Sequence, residues 1–301
     1  MTMDEITKKV ENMYIHFPYP PDHAKDRFWK KRNKKTFQRG CRLAEWLLGL
    51  DPTLAGGKHL DAGSGTGIRL IGYAKTIPDI HCTGLEMSPE SKKHAVANAK
   101  AMDVDNIKFV QGNILDENLS QKLDGPYDLI TSHGVIHHLS DPAGGLSRLL
   151  TLLKPNGIIM ISLYGTFGRH EPDMVRRAVS LLEPDTEKYE KRLRIVRELI
   201  SKKKLFGKKL KTKFKDDAYI VDAYLHVQEI NYTLDEVLDI YNGNNIQPLS
   251  WFEGENARKD LDKLLPESLV DDARALCDLD LWRLIEVRKR PYMLAVAGRK
   301  K

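Results

Sequence analysis

From Lys58 onward, short apolar runs alternate with longer stretches of helical character. The runs KHLDAG (58–63), IHCTGLE (80–86), NIKFVQGNI (106–114), YDLITSH (127–133) and GIIMISLY (157–164) read as strands. Between them TGIRLIGYAKTI (66–77), SPESKKHAVANAKAM (88–102) and 142–153 read as helices, and the Ser88-Pro89 pair predicts a helix start. Apolar strands separated by helices at this spacing predict an α/β fold with a parallel sheet covered on both faces. Past Tyr164 the rhythm breaks. Residues 166–220 are charged and largely helical in pattern, punctuated by Pro172 and Pro184, which predicts a helical insertion or lid. The rhythm resumes with a helix opened by Thr233, a strand at 246–252, a helical stretch from about 256 to 287 and a closing strand, PYMLAVAG (291–298).

The junction after the first strand, Leu60-Asp61-Ala62-Gly63-Ser64-Gly65-Thr66-Gly67, predicts a strand turning sharply into a helix. Glycines at alternate positions lack the Cβ that would bar positive φ or close ligand approach. A dinucleotide fingerprint needs Gly or Ala where this chain has Ile68, and Asp61 would put negative charge beside a pyrophosphate. A cationic or zwitterionic cofactor fits better than NAD.

Length and charge refine this picture. The 301 residues suffice for one large domain or a domain with a sizeable insertion. No apolar run is long enough to span a bilayer, and the opening MTMDEITKKVENMY lacks the apolar stretch of a signal peptide, so a cytoplasmic location is expected. Cys41, Cys82 and Cys277 are scattered and odd in number, without metal-ligand spacing, as suits a reducing compartment; Cys82 sits in a strand-like run and is expected in the core. The net charge of +6 hides an asymmetry. Residues 25–42 hold nine Lys/Arg and one acid, residues 187–215 hold thirteen and three, and the rest of the chain is net acidic. Such segments could attract nucleic acid or an acidic partner, but solvated helix faces account for them more simply.

Taken together, these residues resemble the class I S-adenosylmethionine-dependent methyltransferases, over about Lys58–Tyr164 and more weakly over the final portion. LDAGSGTG matches that family's first motif, Glu86 its acid at the end of the second strand, GNI (112–114) its stretch after the third strand, and YDLITSHGVIHHLSDP (127–142) with LLKPNG (152–157) its fourth-strand motif and the following turn. The resemblance implies a Rossmann-like seven-stranded, mostly parallel sheet with helices on both faces and the last strand antiparallel. It also implies S-adenosylmethionine as cofactor, leaving as S-adenosylhomocysteine. The expected cofactor-binding residues are Asp61, facing the amino group; Gly63, Ser64, Gly65 and Gly67; Glu86, taking the ribose hydroxyls; and Met87, Asn113, Ile114 and His133. Family members often carry Asp where this chain has Asn113, whose amide oxygen is expected to accept from adenine instead. The chain divides on this reading into an amino-terminal arm and helix (1–45), a cofactor-binding core (46–165), a helical lid (166–231) and the remainder of the core (232–301).

Methyl transfer is an in-line displacement that depends on positioning, and a hydroxyl or protonated amine acceptor also needs a base. His133, His137 and His138 follow the fourth strand, beside where the methyl should sit. His137 and His138 are candidate catalytic groups, with helix capping or packing as the alternative. The YIHFPYPP arm (14–21) resembles the PYP stretch of related methyltransferases; it could fold over the cofactor with Tyr14 and Tyr19, or be a Pro-stiffened loop. Tyr19 joins the catalytic candidates. DAYLHVQEINY (222–232) resembles a stretch in uncharacterised methyltransferases that share this arm. Its Tyr224, His226 and Glu229, with Tyr14 and Tyr164, are expected to line the acceptor site. A metal held by Asp222, His226 and Glu229 is less favoured than satisfied hydrogen bonding, and no metal is expected. Three functions follow: methylation of a small molecule, methylation of RNA or protein through the basic segments, or cofactor binding without catalysis. The absence of an N-P-P-Y-type tetrapeptide after the fourth strand weakens the nucleic-acid reading.

Overall fold

The computed structural model describes residues 3–17, 27–201 and 216–301. Tyr19 and the rest of the PYP stretch, and the lysine-rich run 202–215, lie outside the described residues. Seven strands form one sheet in the order β3-β2-β1-β4-β5-β7-β6: β1 (Lys58–Ala62), β2 (His81–Glu86), β3 (Ile107–Gln111), β4 (Tyr127–His133), β5 (Leu153–Tyr164), β6 (Ile246–Trp251) and β7 (Met293–Lys300). The first five pair in parallel, and β7 is antiparallel to both β5 and β6. The expected seven-stranded, mostly parallel α/β sheet is therefore present. The third strand ends at Gln111, before GNI, and the fifth starts at Leu153, with a register shift between Tyr127 and Leu129 opposite it.

Ten helices matter to the site: α1 (Met3–His16), α2 (Arg27–Leu50), α3 (Ile68–Thr76), α4 (Pro89–Ala101), α5 (Leu119–Lys122), α6 (Pro142–Thr151), α7 (Thr166–Leu182), α8 (Tyr189–Ser201), α9 (Asp217–Tyr224) and α10 (Leu234–Gly243). Their starts follow from local chemistry. Ser88 caps α4 ahead of Pro89, Asp141 caps α6, and Thr233 forms a reciprocal capping box with Glu236 at α10. Pro172, expected to break the insertion, lies buried inside α7. It forgoes one backbone hydrogen bond there and in exchange joins Arg169, Val175 and Val179 on the buried face.

Leu60, Leu85, Ile130, Ile159 and Ile161 pack under Leu146, Leu149, Val237 and Tyr241 on one side of the sheet. Leu129, Ile158 and Met160 pack against Leu43, Leu47, Leu70 and Tyr73 on the other, and Cys82 is buried there as expected. The insertion has its own core, in which Met13 of α1 meets Val175, Val179, Leu193, Val196 and Ile220 of α7, α8 and α9. So α1, distant in sequence, packs with the insertion.

Two glycines set the placement of α2. A Cβ on Gly40 would sit 2.4 Å from the Arg69 carbonyl, and one on Gly72 would sit 2.8 Å from the Phe37 carbonyl. Backbone-to-backbone contact between α2 and α3 thus requires glycine on both helices. Seated this closely, α2 turns Arg32, Asn33, Thr36 and Arg39, one face of the helix, toward the carboxyl ends of the strands. Among the described residues no helix is long and apolar enough to cross a membrane.

Candidate active site

A cavity of about 500 Å³ opens at the carboxyl ends of β1, β2, β4 and β5, where ligands of doubly wound sheets bind. One end is the glycine turn. The amides of Gly63 and Ser64 both donate to the Leu85 carbonyl at 2.9 Å, which ties the turn to the end of β2. Gly63, Gly65 and Gly67 have φ of 83°, 56° and 73°. A Cβ on Gly63 would meet Val135 at 2.3 Å, whereas the space beside Gly65 is open. The Ser64 hydroxyl is buried there without a protein partner.

Glu86 faces this turn. One carboxylate oxygen accepts from the Gly65 amide and the other from the Ser88 amide, each at 2.8 Å. Burial raises its pKa, and these amides pull it back down. The held carboxylate keeps free lone pairs for a pair of hydroxyls. Open space at Gly65, the unpartnered Ser64 hydroxyl and the fixed carboxylate fit the backbone-approaching, ribose-bearing cofactor expected there. Met87, Asn113, Ile114 and His133 border the same end.

Two expected cofactor contacts, Asp61 and Gly67, do not border the cavity. Asp61 is 1 % exposed. Its carboxylate accepts from the Thr131 hydroxyl at 2.8 Å, and Thr131 lies 2.8 Å from His59 Nε2. Burial pushes the Asp61 pKa up to about 6, opposed by the charge of Arg69 and by Thr131. Arg69, which sequence reading missed, borders the cavity in its place. Gly67 packs on Phe109 and Ala95 as the cap of α3, so its role is to close the turn. Asn113 borders the cavity as expected, and its Oδ1 accepts from the Leu115 amide at 2.9 Å, which leaves one lone pair on that oxygen.

The far end of the cavity is bordered by Tyr14, His138, Tyr164, Asp222 and Tyr292. The segment after α9 is laced onto the core: the Ile230 amide donates to the His137 carbonyl at 3.0 Å, and the Tyr232 amide to the Tyr164 carbonyl at 2.8 Å. Residue 228 then fixes both neighbouring imidazoles. His138 Nδ1 donates to the Gln228 carbonyl at 2.7 Å, and the Gln228 amide donates to His226 Nδ1 at 3.1 Å. The two rings stack at 3.6 Å. His138 therefore keeps its lone pair on Nε2, and His226 carries its proton on Nε2, 3.2 Å from the Tyr14 hydroxyl. Burial lowers the His138 pKa to about 3 and that of His226 well below the usual value, so both rings are neutral.

The other acceptor-site expectations separate. Tyr14, His138 and Tyr164 reach the cavity, and His226 supports Tyr14 from behind. His137 does not reach it. It is fully buried, with its ring tilted against Tyr164 at 4.1 Å, and its ring nitrogens have no partner. Tyr224 does not border the cavity either. Glu229 is enclosed by two arginines, Arg169 at 2.5 Å and Arg176 at 2.9 Å. Arg169 also lies over the rings of Tyr164 and Tyr292 at 4.1 and 4.9 Å. Glu229 is thus an ion-pair partner and not a ligand, and no cluster that could hold a metal occurs among the described residues. Tyr292 was missed; in the sequence it is one residue of the expected closing strand 291–298, whereas in the structure it precedes β7.

The basic segments also look different in three dimensions. Arg39 pairs with Glu253 at 2.5 Å, and Arg32 lies over the Tyr219 ring, both bordering the cavity. In the second segment Lys191 and Lys188 approach Glu183, at 2.7 and 3.8 Å, and Arg197 pairs with Asp217.

Comparison with known proteins agrees with this geometry. The model of a family described as "Methyltransferase domain" matches residues 54–218, more than half of the chain. The chain belongs to that family. It is an S-adenosylmethionine-dependent methyltransferase. It is 27 % identical over 293 residues to an uncharacterized protein of Synechococcus, covering 94 % of this chain and 69 % of that one. PKMT2 from Rickettsia typhi in complex with AdoHcy has a similar fold, with a TM-score of 0.58 at 20 % identity over 81 % of this chain; this chain spans 49 % of it. The plantazolicin methyltransferase BamL, in complex with a desmethylPZN analog and SAH, gives a TM-score of 0.55 at 15 % identity, covering 99 % of this chain and 96 % of its own.

Proposed function

We propose that this methyltransferase acts on a small-molecule acceptor held in the chamber beneath α1 and the α7–α9 insertion. The observation that carries the reading is the continuity of one cavity, from the Gly63–Gly65 turn and Glu86 to Tyr14, His138, Tyr164, Asp222 and Tyr292. Its volume of about 500 Å³ suits a cofactor and a modest second molecule. The inward turn of Arg32 and Arg39 and the local pairing of Lys188, Lys191 and Arg197 leave fewer of the basic side chains to meet a macromolecule.

S-adenosylmethionine supplies an electrophilic methyl group when bound. The chain's contribution is to position the reactants. Glu86 and the turn amides would hold the ribose and the adjoining chain, while the acceptor is oriented so that its lone pair aligns with the methyl carbon. His138 Nε2, its lone pair left free because the Gln228 carbonyl occupies the opposite nitrogen, would accept a hydrogen bond from the acceptor at the cavity wall and orient it. Val10 and Tyr14 of α1 and Asp222 of α9 border this part of the cavity.

The test is transfer of tritium from methyl-labelled S-adenosylmethionine to cell extract, separated afterwards into low-mass and macromolecular fractions. Label in the low-mass fraction is the expected result. Label confined to RNA or protein would replace the small-molecule reading by one in which the acceptor is a macromolecule. His138→Gln should slow transfer about 100-fold with S-adenosylhomocysteine affinity unchanged.

A further inference from the structure

We propose that the acceptor is an amine, its nitrogen held by the Asp222 carboxylate between the rings of Tyr14, Tyr164 and Tyr292. The proposal rests on the methyl-transfer reading of the cavity and adds to it the chemical class of the acceptor.

Two carboxylates border the cavity among the described residues, Glu86 and Asp222. Glu86 is gripped by the Gly65 and Ser88 amides at the cofactor end. Asp222 is at the opposite end and is held by a side chain from another element. His226 Nε2 donates to the Tyr14 hydroxyl at 3.2 Å, which directs the Tyr14 proton toward Asp222. The direction of that chain follows from the Gln228 amide, which occupies His226 Nδ1. Tyr14 thus acts as a positioning residue, and the carboxylate keeps lone pairs for a donor in the cavity.

Most of the guanidinium groups around this point are matched by acids other than Asp222. Arg39 is paired with Glu253 and Arg169 with Glu229. Arg69 lies near Asp61. Arg32 faces Asp222 from α2, and the electron-rich rings of Tyr14, Tyr164 and Tyr292 border the same space. Rings and a carboxylate together stabilise an ammonium and an N–H donor. A phenol or thiol would instead have to develop negative charge beside Asp222. Burial raises the Asp222 pKa to about 6, against the lowering charges of Arg32 and Arg169, so the group is ionised at pH 8.

The chemistry balances. The bound ammonium gives one proton to the Asp222 carboxylate, the more basic of the two groups at this end. The freed nitrogen pair forms the N–C bond as the C–S bond breaks, and that bonding pair goes to sulfur. The products are an N-methylated ammonium and S-adenosylhomocysteine.

The experiment uses the full chain saturated with S-adenosylhomocysteine at pH 8, titrated calorimetrically with benzylamine and with benzyl alcohol, which share shape but not charge. Benzylamine is expected to bind at least about tenfold more tightly. Asp222→Asn should abolish that preference with S-adenosylhomocysteine affinity kept, and Asp222→Glu should retain part of it. Equal affinities, tighter alcohol binding, binding of neither probe, or a preference that survives in Asp222→Asn would each overturn the amine assignment. The wild-type comparison decides on its own should the Asn variant not fold. Failure of the wild-type chain to bind S-adenosylhomocysteine would be a different result, one that removes the cofactor reading beneath the proposal.

Discussion

At the cofactor end of the cavity, Gly63, Ser64, Gly65 and Glu86 come from the ends of two neighbouring strands, and backbone amides hold them. At the acceptor end, Tyr14, His138, Tyr164, Asp222 and Tyr292 come from five separate segments, and contacts between those segments, through side chains and backbone alike, hold them. Geometry at the first end is set locally by the turn. At the second it exists only once α1, α9 and the ends of β5 and β7 have docked. The difference implies that the acceptor end can be damaged by distant core substitutions, whereas the cofactor end responds to changes in its own turn.

The largest expected effect is at Arg169, which is fully buried and donates to Glu229, to the Ala223 carbonyl and to Tyr292. Arg169→Met leaves Glu229 with Arg176 alone. The expected loss is about 3–4 kcal/mol of stability, near the lower end of the range for breaking a buried pair. Urea denaturation measures it, and an unchanged midpoint would mean that the insertion does not depend on this ion pair.

Gly63→Ala probes the other end. At φ 83° any side chain is strained, and the new Cβ would also collide with Val135. About 2–3 kcal/mol of destabilisation is expected from the two together, with weaker S-adenosylhomocysteine binding. Binding as tight as wild type would show that the turn can shift without harm, against the contrast drawn above. Glu86→Gln is smaller. One of the Gly65 and Ser88 amides would then face an NH₂ group, and the ribose would lose a charged acceptor. S-adenosylhomocysteine affinity should fall about 10- to 100-fold, with about 1 kcal/mol of stability lost for the amide left facing the NH₂ group.

The same contrast explains what could be read from the sequence. The strand-helix rhythm and the glycine turn were legible because a period of apolar runs and a run of glycines at alternate positions are local signals. Glu86 was legible because it ends a strand. Pro172 misled, because its cost to α7 is offset by burial that only tertiary structure reveals. The inward face of α2 was hidden because Arg32 and Arg39 read as solvated charge until Gly40 and Gly72 bring α2 onto α3. His137 and His138 are adjacent and chemically identical. Only the single 3₁₀ turn Ile136–His138 decides that one meets the cavity and the other lies sealed beside Tyr164.

Protonation offers the finest test of the two ends. His59 and His133 lie toward the cofactor end, and His137, His138 and His226 toward the acceptor end; burial lowers the pKa of all five. A histidine of depressed pKa binds fewer protons folded than unfolded, so its stabilisation is full above about pH 6.5 and is lost as pH falls. Asp61 and Glu86 at the first end and Asp222 at the second are shifted upward. Such acids bind more protons folded, so they gain stability as pH falls from about 6 toward 4. Two histidines against two acids nearly offset one another around the glycine turn. Three against one do not offset at the acceptor end, which acid should therefore loosen first, by about 2–3 kcal/mol per pH unit between the two sets of pKa values. Hydrogen exchange at pH 7 and pH 5, corrected for the chemical exchange rate, reads this directly. The amides of α9 should lose protection while those of α3 hold theirs, and equal loss in both helices would show that the two ends unfold as one unit.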